Sequence, residues 1–314
     1  MAEETLPNEN IPIDKSEPLP FPFNQRAFCR YEPIEKRIAE ARVLIVDDLL
    51  RDEGDLSEVA LTEWGRHVKT NLQREREIAG LALGNIQHNV SRLVQHPEIH
   101  VTHISEIAAA EREFRPDAIV LSGTLRDFDY YNPALLENFG EYVRATHTAL
   151  LGICGGHQLV GMSFGARIQT LDHQEQHERR EGRPFEYQYR FIRITAPDDP
   201  IFQGIDDAHS GVWQDYTTEA NILRVWQNHG LQLDHVPDGF KLLATAYLCR
   251  NQMMVKRADG QLIYTVQFHL EKSFEDWDKT RATRWEHPNE SRDGRIIFEN
   301  FLREALKHAE ESKR

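Results

Sequence analysis

Gly152-Ile153-Cys154-Gly155-Gly156-His157-Gln158 closes an apolar run, Thr148 to Ile153, and opens a segment of helical character. The apolar run reads as a buried strand. A cysteine flanked by glycines between strand and helix has the pattern of a nucleophile elbow, the Gly-x-Ser-x-Gly turn with sulfur in place of oxygen. Such a turn is sharp. The residue at its apex takes a strained backbone conformation, and neighbours without Cβ let a substrate approach. The following helix aims its positive amino end at the thiol and favours thiolate. Cys154 is therefore expected to be the nucleophile of an enzyme.

The surrounding sequence supplies a scaffold for that turn. Val43 to Val46 is an apolar, β-branched run that reads as a buried parallel strand ending at Asp47-Asp48. A helical region follows from about Leu56 to Val94, with Gly65, Gly80 and Gly84 expected to break it. Strands are expected at His100–Ile104 and Ala118–Leu121, and a helix from about Pro133 to Thr146. This alternation predicts a doubly wound α/β sheet, mostly parallel, with helices on both faces. Beyond the elbow helix the pattern shifts to short strands: Arg190–Thr195, Leu223–Gln227, Lys241–Ala246, Met253–Arg257 and Leu262–Phe268. They form a smaller antiparallel addition. An amphipathic helix from about Gly294 to Glu310 ends the pattern, with Ile297, Phe298, Phe301, Leu302 and Leu306 on one face.

Composition narrows the functional class. The chain has 314 residues, enough for a sizeable core without disulfides or metals. Its 37 Lys+Arg against 51 Asp+Glu give a formal net charge of −14, which argues against nucleic acid as a partner. The cysteines, Cys29, Cys154 and Cys249, are far apart and show no paired metal spacing, as in a reducing cytosol. The acidic start carries no apolar leader, and no membrane span is visible, so a cytoplasmic location is expected. Residues 1–40 are proline-rich. Pro18-Leu19-Pro20-Phe21-Pro22-Phe23 reads either as an extended arm or as a flexible tail. Residues 41–314 form the main domain, with a helical insertion at about 50–95.

A cysteine nucleophile needs a base, and the base needs an orienting group. Tyr264-Thr265-Val266-Gln267-Phe268-His269-Leu270-Glu271 supplies both at the end of an apolar run. His269 and Glu271 are two apart, so on extended chain they share a side. Glu271 holds one imidazole nitrogen and the other faces Cys154.

Together, Gly-Ile-Cys-Gly-Gly-His-Gln and Gln-Phe-His-Leu-Glu resemble the two signature motifs of class I (triad-type) glutamine amidotransferase domains. The resemblance runs from about Arg42 to the carboxyl end. It implies a flavodoxin-like fold and hydrolysis of the glutamine side-chain amide through a γ-glutamyl thioester. Cys154 would attack, His269 would protonate the departing ammonia, and Glu271 would fix the tautomer of His269. L-glutamine is the implied substrate, no cofactor or metal is implied, and the ammonia would pass to a separate synthase or ligase subunit. The helical insertion or the amino-terminal tail would dock that partner.

Further residues follow from the same resemblance. Gln227-Asn228-His229-Gly230 is similar to a segment of the carbamoyl phosphate synthetase glutaminase subunit. It implies that Asn228 and Gly230 hold the α-amino and α-carboxylate groups of glutamine, the other reading being an ordinary turn before a strand. Gln158 matches a residue that contacts substrate. The oxyanion hole needs two N–H donors. One is Gly155; the other falls at Thr124 in Ser122-Gly123-Thr124-Leu125-Arg126-Asp127, where the family usually has glycine. A β-branched residue resists φ > 0, so this loop departs from the family pattern. Leu270 also replaces the usual proline. Arg126 is either a clamp for a substrate carboxylate or a solvated loop arginine.

Two other functions stay open on sequence. Gln267 to Lys272 with Asp276-Trp277 has some likeness to γ-glutamyl hydrolases, which would act on γ-glutamyl peptides or conjugates. Altered Thr124 and Leu270 leave room for a non-catalytic binding or regulatory domain. His173 and His177, beside Glu175 and Glu178, read as part of a solvated segment rather than a zinc site, and His157 as a packed helix residue.

Overall fold

The computed structural model describes residues 34–205, 221–272 and 291–312. The Pro18–Phe23 run, Cys29, Asp276-Trp277 and His287-Pro288-Asn289 lie outside the described residues.

The strands in chain order are β1 Ile38–Asp47, β2 Val94–His103, β3 Ala118–Leu121, β4 Ala149–Ile153, β5 Ile168–Thr170, β6 Glu186–Ile194, β7 Ile222–His229, β8 Leu231–Leu233, β9 Lys241–Thr245, β10 Met253–Lys256 and β11 Ile263–Val266. Nine of them form one sheet in the order β2-β1-β3-β4-β11-β10-β9-β6-β7. From β2 to β11 every pairing is parallel. That half has the flavodoxin-like arrangement and gathers the carboxyl ends of five strands along one edge. From β11 to β7 every pairing is antiparallel. The antiparallel addition is thus continuous with the parallel sheet. β5 and β8 make a separate antiparallel pair that the sequence pattern did not reveal.

Side-chain alternation explains why both faces are covered. On β1, Ala41, Val43 and Ile45 enter one core and Leu44 and Val46 the other. On β3, Ala118 and Val120 oppose Ile119 and Leu121 in the same way. A strand with apolar residues on both sides needs helices on both sides. The first core is closed by α2 (Val68–Leu93) through Ile86, Val90 and Leu93. It is also closed by α6 (Arg292–Ser312) through Ile297, Phe298, Phe301 and Leu302. The second is closed by α1 (Glu58–Trp64), α3 (Ile107–Phe114), α4 (Pro133–Ala145) and α5 (Gly155–Ser163). Each fully buried phenylalanine of α6 contributes about 1.5–3 kcal/mol by leaving water.

Helix ends follow local chemistry. Asn132 caps α4 by accepting from the Ala134 N–H, and Pro133 occupies the first helical position. In the helical insertion the expected glycine breaks need correcting. Gly65, at φ 46°, does end α1. Gly80 and Gly84 lie inside α2, which continues through them. Each costs about 1 kcal/mol relative to alanine, and the buried stripe Leu72, Glu75, Ala79, Ile86, Val90 and Leu93 outweighs that cost by seating the helix on the sheet. No helix among the described residues is long and apolar enough to cross a membrane.

Candidate active site

The end of β4 turns sharply into α5 at Cys154, which has φ 51° and ψ −101°. Non-glycine residues rarely occupy that region, and such strain is held only by surrounding structure. Here the Cys154 N–H donates to the Val266 carbonyl at 2.8 Å, and the Gly156 N–H to the Ser122 carbonyl at 3.0 Å. Close approach requires glycine on both sides. A Cβ on Gly152 would sit 2.8 Å from the Gly156 carbonyl carbon, and one on Gly155 would sit 2.3 Å from Thr124 Oγ1. The expected elbow geometry is present, with Cys154 at the apex and 6% exposed.

The chain leaving β11 carries His269 and Glu271 to the same edge. The His269 N–H donates to the Trp226 carbonyl at 2.9 Å, so the end of β11 is pinned to β7. His269 Nδ1 lies 2.7 Å from Glu271 Oε1. Its other ring nitrogen, Nε2, is buried and, Cys154 apart, meets no hydrogen-bond partner among the described residues. Gly123 locates base and nucleophile relative to each other. A Cβ added there would touch both His269 Cε1, at 3.4 Å, and Cys154 Cβ, at 3.6 Å. Nucleophile–base hydrogen bonds are commonly long before substrate binds and tighten on binding.

Electrostatics agree with that placement. Burial works against a charged imidazole at His269, but the Glu271 carboxylate and the Cys154 sulfur outweigh it and push the group up to about 10. Burial likewise opposes ionisation of Glu271, yet its pairing with His269 holds the carboxyl below the ordinary range.

Thr124 lies against Gly155, its nitrogen 2.4 Å from where a Gly155 Cβ would be. Gly155 is the first residue of α5, so its N–H has no acceptor one turn back. The Thr124 N–H takes no backbone acceptor among the described residues. Thr124 is absent from the residues with positive φ, so its branched side chain carries no left-handed strain. The loop meets Gly155 without the conformation that glycine would allow.

The remaining expected residues are placed differently from one another. Gln158 is buried, and its Nε2 donates to the Leu231 carbonyl at 2.8 Å and to Gln267 Oε1 at 2.9 Å. That link brings Gly230, next to Leu231, towards the elbow helix. Asn228 and His229 belong to β7 itself rather than to a turn before a strand, with Asn228 exposed and His229 buried. Arg126 turns to α2: its Nε donates to Glu75 Oε1 at 2.9 Å and its Nη2 to Asn71 Oδ1 at 3.2 Å. Its guanidinium also lies over the Trp64 ring at 5.1 Å. Arg126 is therefore tied to α2, with 23% of its side chain still exposed.

His157 is fully buried, with Nδ1 2.7 Å from Thr265 Oγ1. Part of the charged segment Asp172 to Arg183 is also held down. Arg180 pairs with Asp127 and Asp129, and Arg183 with Asp127. Among the described residues no cluster of three or more His, Cys, Asp or Glu is arranged to hold a metal ion.

Sequence reasoning missed four contributors. Gly123 lies against both base and nucleophile. Trp226 fixes the His269 main chain. Asn89 of α2 donates through Nδ2 to the Glu271 carbonyl. Gln267 donates through Nε2 to Cys154 Sγ at 3.7 Å. Only Gln267 carried a signal, since its alternation with Thr265 and His269 was visible.

Comparison with known proteins agrees with the fold. Glutamine-hydrolysing GMP synthases from Burkholderia vietnamiensis and Ralstonia pickettii are each 31% identical, over 179 and 180 residues, covering 55% of this chain. The chain spans 28% of the length of these relatives. A GMP-synthase-type protein from Thermoplasma acidophilum has a TM-score of 0.52 at 20% identity, covering 87% of this chain and 98% of that one. The glutaminase domain of Trypanosoma brucei CTPS, with bound acivicin, has a TM-score of 0.50 at 13% identity, covering 85% and 94%. These two structures share the fold. A model of the class I glutamine amidotransferase family matches residues 82–284, a span that takes in both the elbow and the His269–Glu271 pair, and the chain belongs to that family.

Proposed function

We propose that the protein hydrolyses the side-chain amide of L-glutamine with a Cys154–His269–Glu271 triad and delivers the ammonia to a synthase or ligase partner. The carrying observation is the meeting of the strained Cys154 apex and the His269–Glu271 pair at Gly123. Cys154 Sγ gives its proton to His269 Nε2 and attacks the amide carbon. The N–H groups of Gly155 and Thr124 receive the developing oxyanion. His269 passes a proton from Nε2 to the departing nitrogen, which leaves as ammonia, and a γ-glutamyl thioester remains on Cys154. A water molecule then gives a proton to His269 and attacks the thioester, releasing glutamate and restoring the thiol. Glu271 holds Nδ1 throughout and stabilises the imidazolium.

Asn228, exposed at the end of β7, and Gly230 beside it are the groups we assign to the α-amino and α-carboxylate ends of the substrate. The likeness to glutamine-hydrolysing GMP synthases over 55% of the chain supports ammonia transfer to a nucleotide-forming partner. The test compares glutamate release from glutamine by the wild type and Cys154→Ala, alone and with candidate synthetases. Release in the wild type only, enhanced by one partner, is the expected result. Equal release by both proteins refutes the assignment, and turnover of γ-glutamyl peptides well above glutamine redirects it to conjugate hydrolysis.

A further inference from the structure

We propose that Gln158 and Gln267 form a fixed amide relay that points an N–H at the Cys154 sulfur, so that Gln267 stabilises the thiolate and Gln158 acts as its positioning residue. This rests on Cys154 being the nucleophile. The orientation of both amides follows from a single anchor. The Leu231 carbonyl only accepts, so the group of Gln158 that meets it at 2.8 Å must be Nε2. The same nitrogen reaches Gln267 at 2.9 Å, and a nitrogen of this kind only donates, so the Gln267 atom there must be Oε1. The other end of the Gln267 amide is then Nε2, and it faces Cys154 Sγ at 3.7 Å.

The relay is enclosed: Gln158 is 3% exposed, Gln267 0% and Cys154 6%. The Gln267 main chain is held as well, its N–H donating to the Gln252 carbonyl at 2.9 Å. An N–H held on sulfur in a dry site favours the charged form of the sulfur. The titratable groups that act on the same sulfur are His269, backed by Glu271, beyond β11, and Cys249 from the turn between β9 and β10. Gln267 is the uncharged donor in this set, so its contribution does not titrate away with pH.

The test is the pH profile of Cys154 alkylation by iodoacetamide, read by mass spectrometry, in the wild type, Gln267→Met, Gln158→Met and His269→Gln. The relay predicts that Gln267→Met displaces the profile to higher pH and slows alkylation at pH 7 about tenfold, one pH unit of displacement being a factor of ten. Gln158→Met, which leaves Gln267 in place but free to turn, gives a smaller displacement in the same direction. It also lowers kcat for glutamine more than it changes KM. The profile is normalised to its own plateau, so partial loss of folded protein does not move it. If Gln267→Met does not fold, Gln158→Met carries the test alone. Unmoved profiles in both Gln variants, with KM raised in Gln158→Met, overturn the relay and return Gln158 to substrate contact. His269→Gln separates the two claims: an unmoved profile there rejects the triad whatever the Gln variants do.

Discussion

Two imidazoles serve the same elbow region and are treated in opposite ways, His157 fully buried and His269 with 13% of its side chain exposed. His157, a residue of α5, packs against the Thr265 hydroxyl, and among the described residues no carboxylate pairs with its ring. Burial, reinforced by the nearby His229, pushes it down to about 3, so it is neutral at any ordinary pH. His269 lies beyond the end of β11 against Glu271 and Cys154, and there the neighbouring negative charge overcomes burial and pushes it up to about 10. The partner, more than the small difference in depth, sets the two apart. A hydroxyl satisfies an imidazole without favouring its cation, whereas a carboxylate favours it. The first is packing; the second has the charge environment that the proposed base requires.

The comparison is broken most severely by exchanging each histidine for glutamine. His269→Gln is expected to lower kcat for glutamine hydrolysis by about 10²–10⁴-fold. His157→Gln, which keeps a polar group for Thr265, should lower it by less than about tenfold. Steady-state glutamate release measures both, and similar losses in the two variants would erase the distinction.

The oxyanion side gives the next effect. Gly155→Ala places a methyl 2.3 Å from Thr124 Oγ1 and 2.4 Å from its nitrogen. The loop must move, and kcat should fall by about 10²–10³-fold, the loss that follows removal of one oxyanion donor. Gly123→Ala meets only contacts of 3.4 and 3.6 Å and should fold normally. Thermal melts alongside kinetics would show whether the two glycines differ in this order.

Arg126 tests the boundary between site and scaffold. Its partner Glu75 has a fully buried side chain, and burial holds that carboxyl above its usual value despite the arginine. Arg126→Met should destabilise the fold by about 2–3 kcal/mol by leaving the acid unpaired. Adding Glu75→Gln should restore most of that loss. Chemical denaturation measures it. A rise in KM with unchanged stability would instead make Arg126 a substrate clamp.

The smallest effect is also the one most specific to the two histidines. His157 refuses in the folded state a proton that the unfolded chain takes up below about pH 6.5, so its stability contribution falls as pH drops from there towards 3. His269 binds its proton more tightly when folded, so its contribution is complete below about pH 6.5 and is lost as pH rises through about 10. Each slope is at most about 1.4 kcal/mol per pH unit. His157→Gln should flatten the acid limb and Glu271→Gln the alkaline one. Urea melts across pH that show the reverse assignment would contradict both placements.

Much of this is legible from local pattern. Ala118–Leu121 is legible to the residue, and α4 and β4 to within a position, because each is a short apolar or capped run whose signal is contained in itself. The elbow is legible because a cysteine between glycines at a strand–helix junction is a local signal. The His269–Glu271 pair is suggested by its spacing, although Leu270 and Glu271 lie in a turn and not on extended chain. Contacts between distant segments are not. Nothing in Asn89 announces that it holds the carbonyl of Glu271, 182 residues away. The glycines of α2 read as breaks because propensity is local, while the packing that carries the helix past them is not. For Arg126 and Gln158 a motif gives position along the chain but not the side-chain partners, Glu75 and Asn71 for the first and Leu231 and Gln267 for the second.

The central claim is that Cys154 is acylated by glutamine with His269 as its partner. Intact-mass analysis after incubation with a diazo-ketone analogue of glutamine tests it most directly. The account predicts a single adduct per chain on Cys154, blocked by glutamine and at least about tenfold slower in His269→Gln. An adduct elsewhere, or labelling of Cys154 that neither glutamine nor the loss of His269 affects, would contradict it.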